Sequence, residues 1–299
     1  MLIALLVESA TAFIPSSQVA SLPTFYLKES MEMLAKDPNS ELFSTDIEPL
    51  RIDVIGSLIT AAPIDVLVNV ILVWAKQHKS KMVCIANTHM LVDAHQKPSF
   101  GEVLKDSDIV TPNAMPLVWL LKRMGVKTQE IVTSLNLMQC LCQKASQQKV
   151  SIFFLGSQSL ILQKMRHRLA QDFPELLIAG MEPLPIRPLT LDQRQKLIQR
   201  IKHSGAGLVM VAYSSPKQEY WMAEHKNQIE AVMIGVGGAF PAYAGLNSSV
   251  PSWMKEIGFE WIYRFFQEPT KFWEKHVKTT SIFIHLALNQ IWNRYFELR

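Results

Sequence analysis

Polar residues able to hold a ligand gather in one stretch, Leu208–Phe240, which reads LVMVAYSSPKQEYWMAEHKNQIEAVMIGVGGAF. Leu208–Tyr213 is a continuous apolar run, the pattern of a strand covered on both faces. Ser214 and Ser215 then offer hydroxyls to cap a helix, and Pro216 suits a first helical position, where no N–H is required. Lys217, Gln218 and Glu219 therefore fall in the first turn of a helix, just past the carboxyl end of a strand. Free N–H groups and the helix dipole favour phosphate there, and open α/β sheets bind ligands at that edge. A second apolar run, Ala231–Val236, leads into Gly237 and Gly238, where the missing side chains let backbone approach a ligand closely. The same pattern also describes a capped helix and a tight turn with no ligand.

The elements that must position these groups alternate along the chain. Strands are expected at Arg51–Ile55, Lys81–Ala86, Ser107–Thr111, Ser151–Leu155, Leu176–Ala179, Leu208–Tyr213 and Ala231–Val236. Helices are expected from Pro63 to about Gln77, at Leu91–His95, Gly101–Lys105, Leu117–Met124 and Leu135–Ser146, from after Ser157 to about Gln171, and at Leu191–His203. Thr133 or Ser134 caps the helix that starts at Leu135. Alternation of this kind predicts an α/β fold, a Rossmann-like, mostly parallel sheet with helices on both faces. Residues 51–245 form that domain in this reading. Residues 1–50, with weak periodicity and several prolines, are an N-terminal extension, and 246–299 a C-terminal helical appendage.

Composition narrows the classes. The chain has 299 residues, 48% of them hydrophobic and 19% charged, with a net charge of +4 and no Lys/Arg run resembling a nucleic-acid footprint. Cys84, Cys140 and Cys142 form no CxxC and have no histidine at zinc-like spacing; they read as reduced, buried thiols of a cytoplasmic protein. No metal-ligand cluster and no G-x-G-x-x-G fingerprint of a nicotinamide enzyme is present, so no cofactor is expected. Val66–Ala75 and Ser281–Leu288 both fall well short of the roughly 20 apolar residues that span a bilayer. The opening MLIALLVESATAF lacks a basic flank and carries Glu8, unlike a secretory signal.

Past Gly245 aromatics crowd together, among them Trp253, Trp261, Tyr263, Phe265, Phe266, Trp273 and Trp292, interspersed with Lys255, Arg264, Lys271, Lys275 and Arg294. Trp273, Val277, Ile284, Leu288, Ile291 and Tyr295 fall near one helical face. Rings at the headgroup level with cations towards anionic lipid are what a membrane-surface helix needs. A helix packed on the core or on a second subunit gives a similar pattern, so homo-oligomerisation stays open.

Several segments in this order resemble the WecG/TagA/CpsF glycosyltransferases: Asn87 followed by Met90-Leu91-Val92 and Ala94, then SDIVTPN, VTSLNLM, SIFFLGS, SPKQE, IGVGGAF and GFEWIYRFFQEP. The likeness runs from about Ile52 to about Trp273. It implies a Rossmann-like fold and an inverting, metal-independent transfer of a sugar from a UDP-sugar, often UDP-N-acetylmannosamine. The implied acceptor is a polyprenyl-diphosphate-linked sugar, at the cytoplasmic face of the plasma membrane, in cell-surface polysaccharide synthesis. The resemblance implies a peripheral protein whose appendage docks on the membrane. It implies substrate-binding roles for Asn87, Thr133, Asn136, Lys217, Gln218, Glu219, Gly237, Gly238, Arg264 and Lys271.

Departures from the family pattern fall on chemistry. Asn113 and Ala114 stand where the family has Asp-Gly, the Asp being its proposed general base. A neutral amide takes no proton from a sugar hydroxyl at pH 7, and a positioned base is worth about 10²–10⁴ in rate. Asn136 replaces a second carboxylate, Ser248 and Ser249 replace two cations, Pro241 follows GVGGAF where an Asp is usual, and Lys271 replaces an Arg. Of the carboxylates nearest Asn113 in sequence, Asp93, Asp106 and Asp108, the last reads as a strand-start residue rather than a base. The alternative to a transferase is therefore a non-catalytic homologue that binds nucleotide sugar in the same pathway.

Overall fold

The computed structural model describes residues 49–185, 189–246 and 278–297. All but the last two residues of the N-terminal extension expected at 1–50 lie outside these.

The chain enters through a two-stranded antiparallel hairpin, β1 (Arg51–Val54) and β2 (Ser57–Thr60). The first strand expected from sequence is thus found, but in this hairpin rather than in the main sheet, and β2 had no counterpart in the sequence reading. The reason is local. Both turn residues have positive φ, +48° at Ile55 and +85° at Gly56, as the tightest hairpin turns require, and such turns normally advertise themselves with Asn-Gly or Asp-Gly. An isoleucine in the left-handed region is costly and conceals the signal.

After α1 (Ile64–Lys76) comes the main sheet: β3 (Lys81–Ala86), β4 (Ile109–Pro112), β5 (Ile152–Gly156), β6 (Ile178–Glu182), β7 (Leu208–Ala212) and β8 (Val232–Gly235). Its order is β4-β3-β8-β7-β5-β6, and every pairing is parallel. The apolar runs read as strands because both faces are covered. Along β3, Met82, Cys84 and Ala86 enter one core layer while Val83 and Ile85 enter the other, the period-2 alternation of a pleated strand. The first layer is roofed by α2 (Thr88–Gln96), α3 (Pro98–Lys105), α4 (Met115–Arg123), α7 (Leu191–His203) and α8 (Lys217–His225). The second is roofed by α1, α5 (Ser134–Gln148), α6 (Ser159–Asp172) and α9 (Ala239–Tyr243). β6 lies three residues beyond the bounds expected for its end; Gly180 allows it to press on Phe153, whose ring is 2.3 Å from where a Cβ would stand.

The cysteines are free. Cys84 and Cys142 are buried, and burial pushes the Cys142 thiol up to about 12. Two positions apart on α5, Cys140 and Cys142 point to different sides of the helix.

The last helix, α10 (Lys278–Glu297), packs on α2. The buried positions are Phe283 and Ala287, inside the first core layer. Ile284, Leu288 and Ile291, read from sequence as lying near one face, are half-buried and sit beside the Phe283–Ala287 line. Its outward stripe, Ser281, His285, Asn289 and Trp292, is mostly polar and uncharged. Gln290 ties the helix to the hairpin 235 residues earlier. Its Oε1 accepts from Ile55 N at 2.9 Å, and its Nε2 donates to Asp53 O at 2.9 Å and to Asp53 Oδ1 at 2.8 Å. The strained hairpin turn is thereby held by the opposite end of the chain. Among the described residues no helix is long and apolar enough to cross a membrane.

At the amino edge of the sheet Asp108 anchors two strand starts. It accepts from Lys81 Nζ and from Met82 N, each at 2.8 Å, and Lys226 Nζ stands 3.1 Å away. Burial pushes the Asp108 carboxyl up, but the Lys81 bond, the Met82 N–H and the Lys226 charge outweigh it and hold it below the usual carboxylate range.

Two measurements check this account. Gln290→Ala should lower the unfolding free energy by about 1–3 kcal/mol in urea titration, the loss expected when hydrogen bonds to partly buried backbone are removed. Asp108→Asn should cost about 2–3 kcal/mol at neutral pH. Because the folded pKa lies below the unfolded one, Asp108 adds stability above the unfolded value of about 3.9 that fades as pH falls through the folded value. The gap between wild type and variant should therefore narrow on acidification below about pH 4.

Candidate functional site

Four neighbouring strands bring most of the residues singled out in the sequence to one edge. Asn113 follows β4, Asn87 follows β3, Gly237 and Gly238 follow β8, and Lys217–Glu219 open the helix after β7. The backbone carries the strand pairing past the ends: Asn113 N donates to Ala86 O at 2.7 Å, and Val236 N donates to Val211 O at 2.9 Å. Val132 N donates to Pro112 O at 3.0 Å, which sets Thr133 and the start of α5 beside the end of β4. Asp108 stands at the other edge, tied to lysines, and is too remote to replace a base at Asn113.

On the β3–β4 side the polar side chains are partly used. Asn87 Oδ1 caps α2 by accepting from Met90 N at 3.0 Å, leaving its amide NH₂ exposed at the edge. Thr133 Oγ1 caps α5 by accepting from Asn136 N at 3.2 Å, and Asn136 Oδ1 accepts from Cys140 Sγ at 3.5 Å. Asn113 is half-buried, and no described residue hydrogen-bonds its side chain. It keeps the size of an aspartate and has none of its basicity.

On the β7–β8 side the expected hydroxyl cap is absent. Pro216 is the N-cap of α8 and no side chain caps it; Lys217 N instead donates to Ser214 O at 2.9 Å. Glu219, at the third helical position, has no capping-box partner either, because a proline N-cap carries no N–H. Lys217 is exposed and has no ion pair among the described residues. Gln218 and Glu219 are both buried, at 5% and 0% exposure. Gln218 Oε1 accepts from Gly237 N at 3.0 Å, and its Nε2 donates to Glu219 Oε1 at 2.7 Å. Glu219 Oε2 has no partner. Burial drives the Glu219 carboxyl upward, only partly offset by the Gln218 amide, the Glu219 N–H and the Ser215 hydroxyl.

Gly235 was missed as a site residue, although it opens the G-x-G-G spacing. A Cβ there would stand 2.9 Å from Met222 Cε and 3.0 Å from Gln218 Nε2, so only glycine lets the Gln218 amide lie across the strand end. Gly237 has φ +47°, with Tyr213 O 3.4 Å from where its Cβ would be. Gly238 faces open space. Arg264 and Lys271 lie outside the described residues. No group of three or more His, Cys, Asp or Glu among the described residues could hold a metal ion.

The fold is that of a doubly wound α/β protein, a class of sheet that binds ligands at its carboxyl edge, and the candidate residues gather at that edge around β8. Residues 52–297 match the family model for the glycosyl transferase WecG/TagA/CpsF family, and the chain belongs to that family of glycosyltransferases. It is 28% identical, over 199 residues, to an N-acetylglucosaminyldiphosphoundecaprenol N-acetyl-beta-D-mannosaminyltransferase of Bacillus spizizenii (strain ATCC 23059 / NRRL B-14472 / W23), an alignment covering 66% of this chain and 76% of the relative.

Gly237→Val should lower UDP affinity at least tenfold in calorimetry, since a β-branched residue cannot hold φ +47° without moving the turn. Gly235→Ala should do the same by displacing the Gln218 amide. Full UDP affinity in both variants would place the nucleotide elsewhere.

Proposed function

We propose that the chain transfers a sugar from a UDP-sugar, UDP-N-acetylmannosamine in type, to a sugar carried on a polyprenyl diphosphate, for cell-surface polysaccharide synthesis. The observation that carries the reading is the convergence of Asn87, Asn113 and the Gly237–Gly238 turn on the ends of three adjacent strands, next to the start of α8. In this reading Lys217 and the backbone of Gly238 hold the diphosphate, with Gln218 and Glu219 supporting the turn. Asn87, Thr133 and Asn136 orient the acceptor, and Arg264 and Lys271 add cations to the diphosphate. The acceptor hydroxyl attacks the anomeric carbon as the bond to UDP breaks, inverting that centre without a metal. The hydroxyl proton leaves to a base. The appendage rests on the inner face of the plasma membrane and brings the site to the lipid-linked acceptor.

A second reading has a specific observation in its favour. Asn113 stands where the family has its carboxylate, Asp108 is at the opposite edge, and Glu219 is sealed from solvent. A homologue that binds nucleotide sugar without turnover would look like this.

The test uses the full chain, UDP-N-acetylmannosamine and UDP-N-acetylglucosamine as donors, and polyprenyl-diphosphate-linked N-acetylglucosamine in vesicles. Asn113→Asp should raise UDP release by about 10²–10⁴, the worth of a positioned base. Substantial wild-type turnover that the substitution leaves unchanged would assign the base to another group. UDP binding without turnover in either form would establish the non-catalytic reading.

A further inference from the structure

The Gln218 amide is the joint between the two halves of the nucleotide side. One end of it takes the Gly237 N–H and the other gives a hydrogen to Glu219. The two ends of an amide are nearly equal in size and opposite in hydrogen bonding. Turned over, the amide would set its NH₂ against the Gly237 N–H, donor against donor, and its oxygen against an acceptor. Glu219 therefore decides which way Gln218 faces. It is well placed to do so, being fully buried, with Oε1 2.7 Å from Gln218 Nε2. In either ionisation state of the carboxyl group, an oxygen is left to accept.

The consequence falls on the turn. The Gly237 N–H is consumed internally, shared between Gln218 Oε1 at 3.0 Å and Val211 O at 3.4 Å. The next N–H, that of exposed Gly238, meets no acceptor among the described residues, whereas Ala239 N donates to Val236 O at 3.0 Å. The turn thus leaves the Gly238 N–H without an internal acceptor among the described residues, and a side chain at Gly238 would meet nothing within 4 Å. An unpaired N–H at a loop-to-helix junction at this edge is what an anionic oxygen seeks.

We propose that Glu219 is a positioning residue. By fixing the orientation of the Gln218 amide it locks the Gly237 turn so that the Gly238 N–H faces a nucleotide diphosphate. The identity of the ligand rests on the transferase reading above; the lock itself does not.

Two variants and two readouts test it. Glu219→Ala removes the acceptor, and Glu219→Gln keeps one of similar reach. Hydrogen exchange at Gly237, followed without ligand, should speed at least tenfold in Glu219→Ala and stay near wild type in Glu219→Gln, while exchange in β5 and β7 stays slow in both. Calorimetry with UDP should show about a tenfold loss of affinity in Glu219→Ala, the size of one lost hydrogen bond, and recovery to within about threefold in Glu219→Gln. Unchanged Gly237 exchange in a folded Glu219→Ala would overturn the lock, as would a Glu219→Gln variant that fails as fully as Glu219→Ala. Should the alanine variant not fold, slow Gly237 exchange in Glu219→Leu, which fills the space without an acceptor, would overturn it equally. Wild-type protein that does not bind UDP, yet shows the exchange pattern, would refute the nucleotide and leave the lock standing.

Discussion

The sheet is completed from the inside. β8, the last strand in chain order among the described residues, is hydrogen-bonded between β3, the first strand of the sheet, and β7. Its residues Val232, Met233 and Ile234 are wholly buried, which is why they form an uninterrupted apolar run. Burial of three such side chains gives β8 on the order of 5 kcal/mol of transfer free energy, enough to make its seat decisive for the fold. The groups of the β7–β8 side depend on that seat. The Gly237 turn and Asn87 fall at neighbouring strand ends because β8 lies beside β3, and Gln218 reaches Gly237 because β8 also lies beside β7.

A division of labour follows along the edge. The β3–β4 side is built from neutral amides and hydroxyls, several already engaged as helix caps. The β7–β8 side is built from glycines and buried polar groups. Three glycines serve three distinct ends: Gly235 leaves room for Gln218, Gly237 adopts a left-handed backbone, and Gly238 keeps the space beyond the turn free of a side chain. Substituting any of them disturbs a different part of the same turn. The acidic anchor of the chain, Asp108, is spent on structure at the far edge, where it joins β3, β4 and the residue that follows α8.

The C-terminal helix α10 shows how the chain's ends are coupled to this edge. Phe283 and Ala287 enter the first core layer, and Gln290 secures the hairpin turn at Ile55. α10 also packs on α2, the helix capped by Asn87. A truncation removing α10 would strip core contacts as well as any membrane contact, so vesicle binding of such a truncation must be read beside its stability.

Local chemistry by itself determined much of this protein. Apolar runs marked the inner strands of the main sheet because strands covered on both faces must be apolar throughout, and the half-buried edge strand β6 was the one whose end was misplaced. The Ser-Pro-Lys-Gln-Glu and Gly-Val-Gly-Gly segments marked two turns at strand ends, because proline and glycine constrain backbone wherever they occur. Asn113 in place of an aspartate was visible from the letters alone. What only the tertiary structure decided has a common physical cause: it depends on partners far apart in sequence. The hairpin turn at Ile55 is held by Gln290, which no local pattern announces. That Phe283 and Ala287 are the positions of α10 that enter the core follows from its packing on α2, which lies far away in sequence. Whether Gln218 and Glu219 face solvent or each other turns on where β8 lies. In the fold both are buried, with Gly237 and Glu219 Oε1 satisfying the Gln218 amide and Glu219 Oε2 left without a partner.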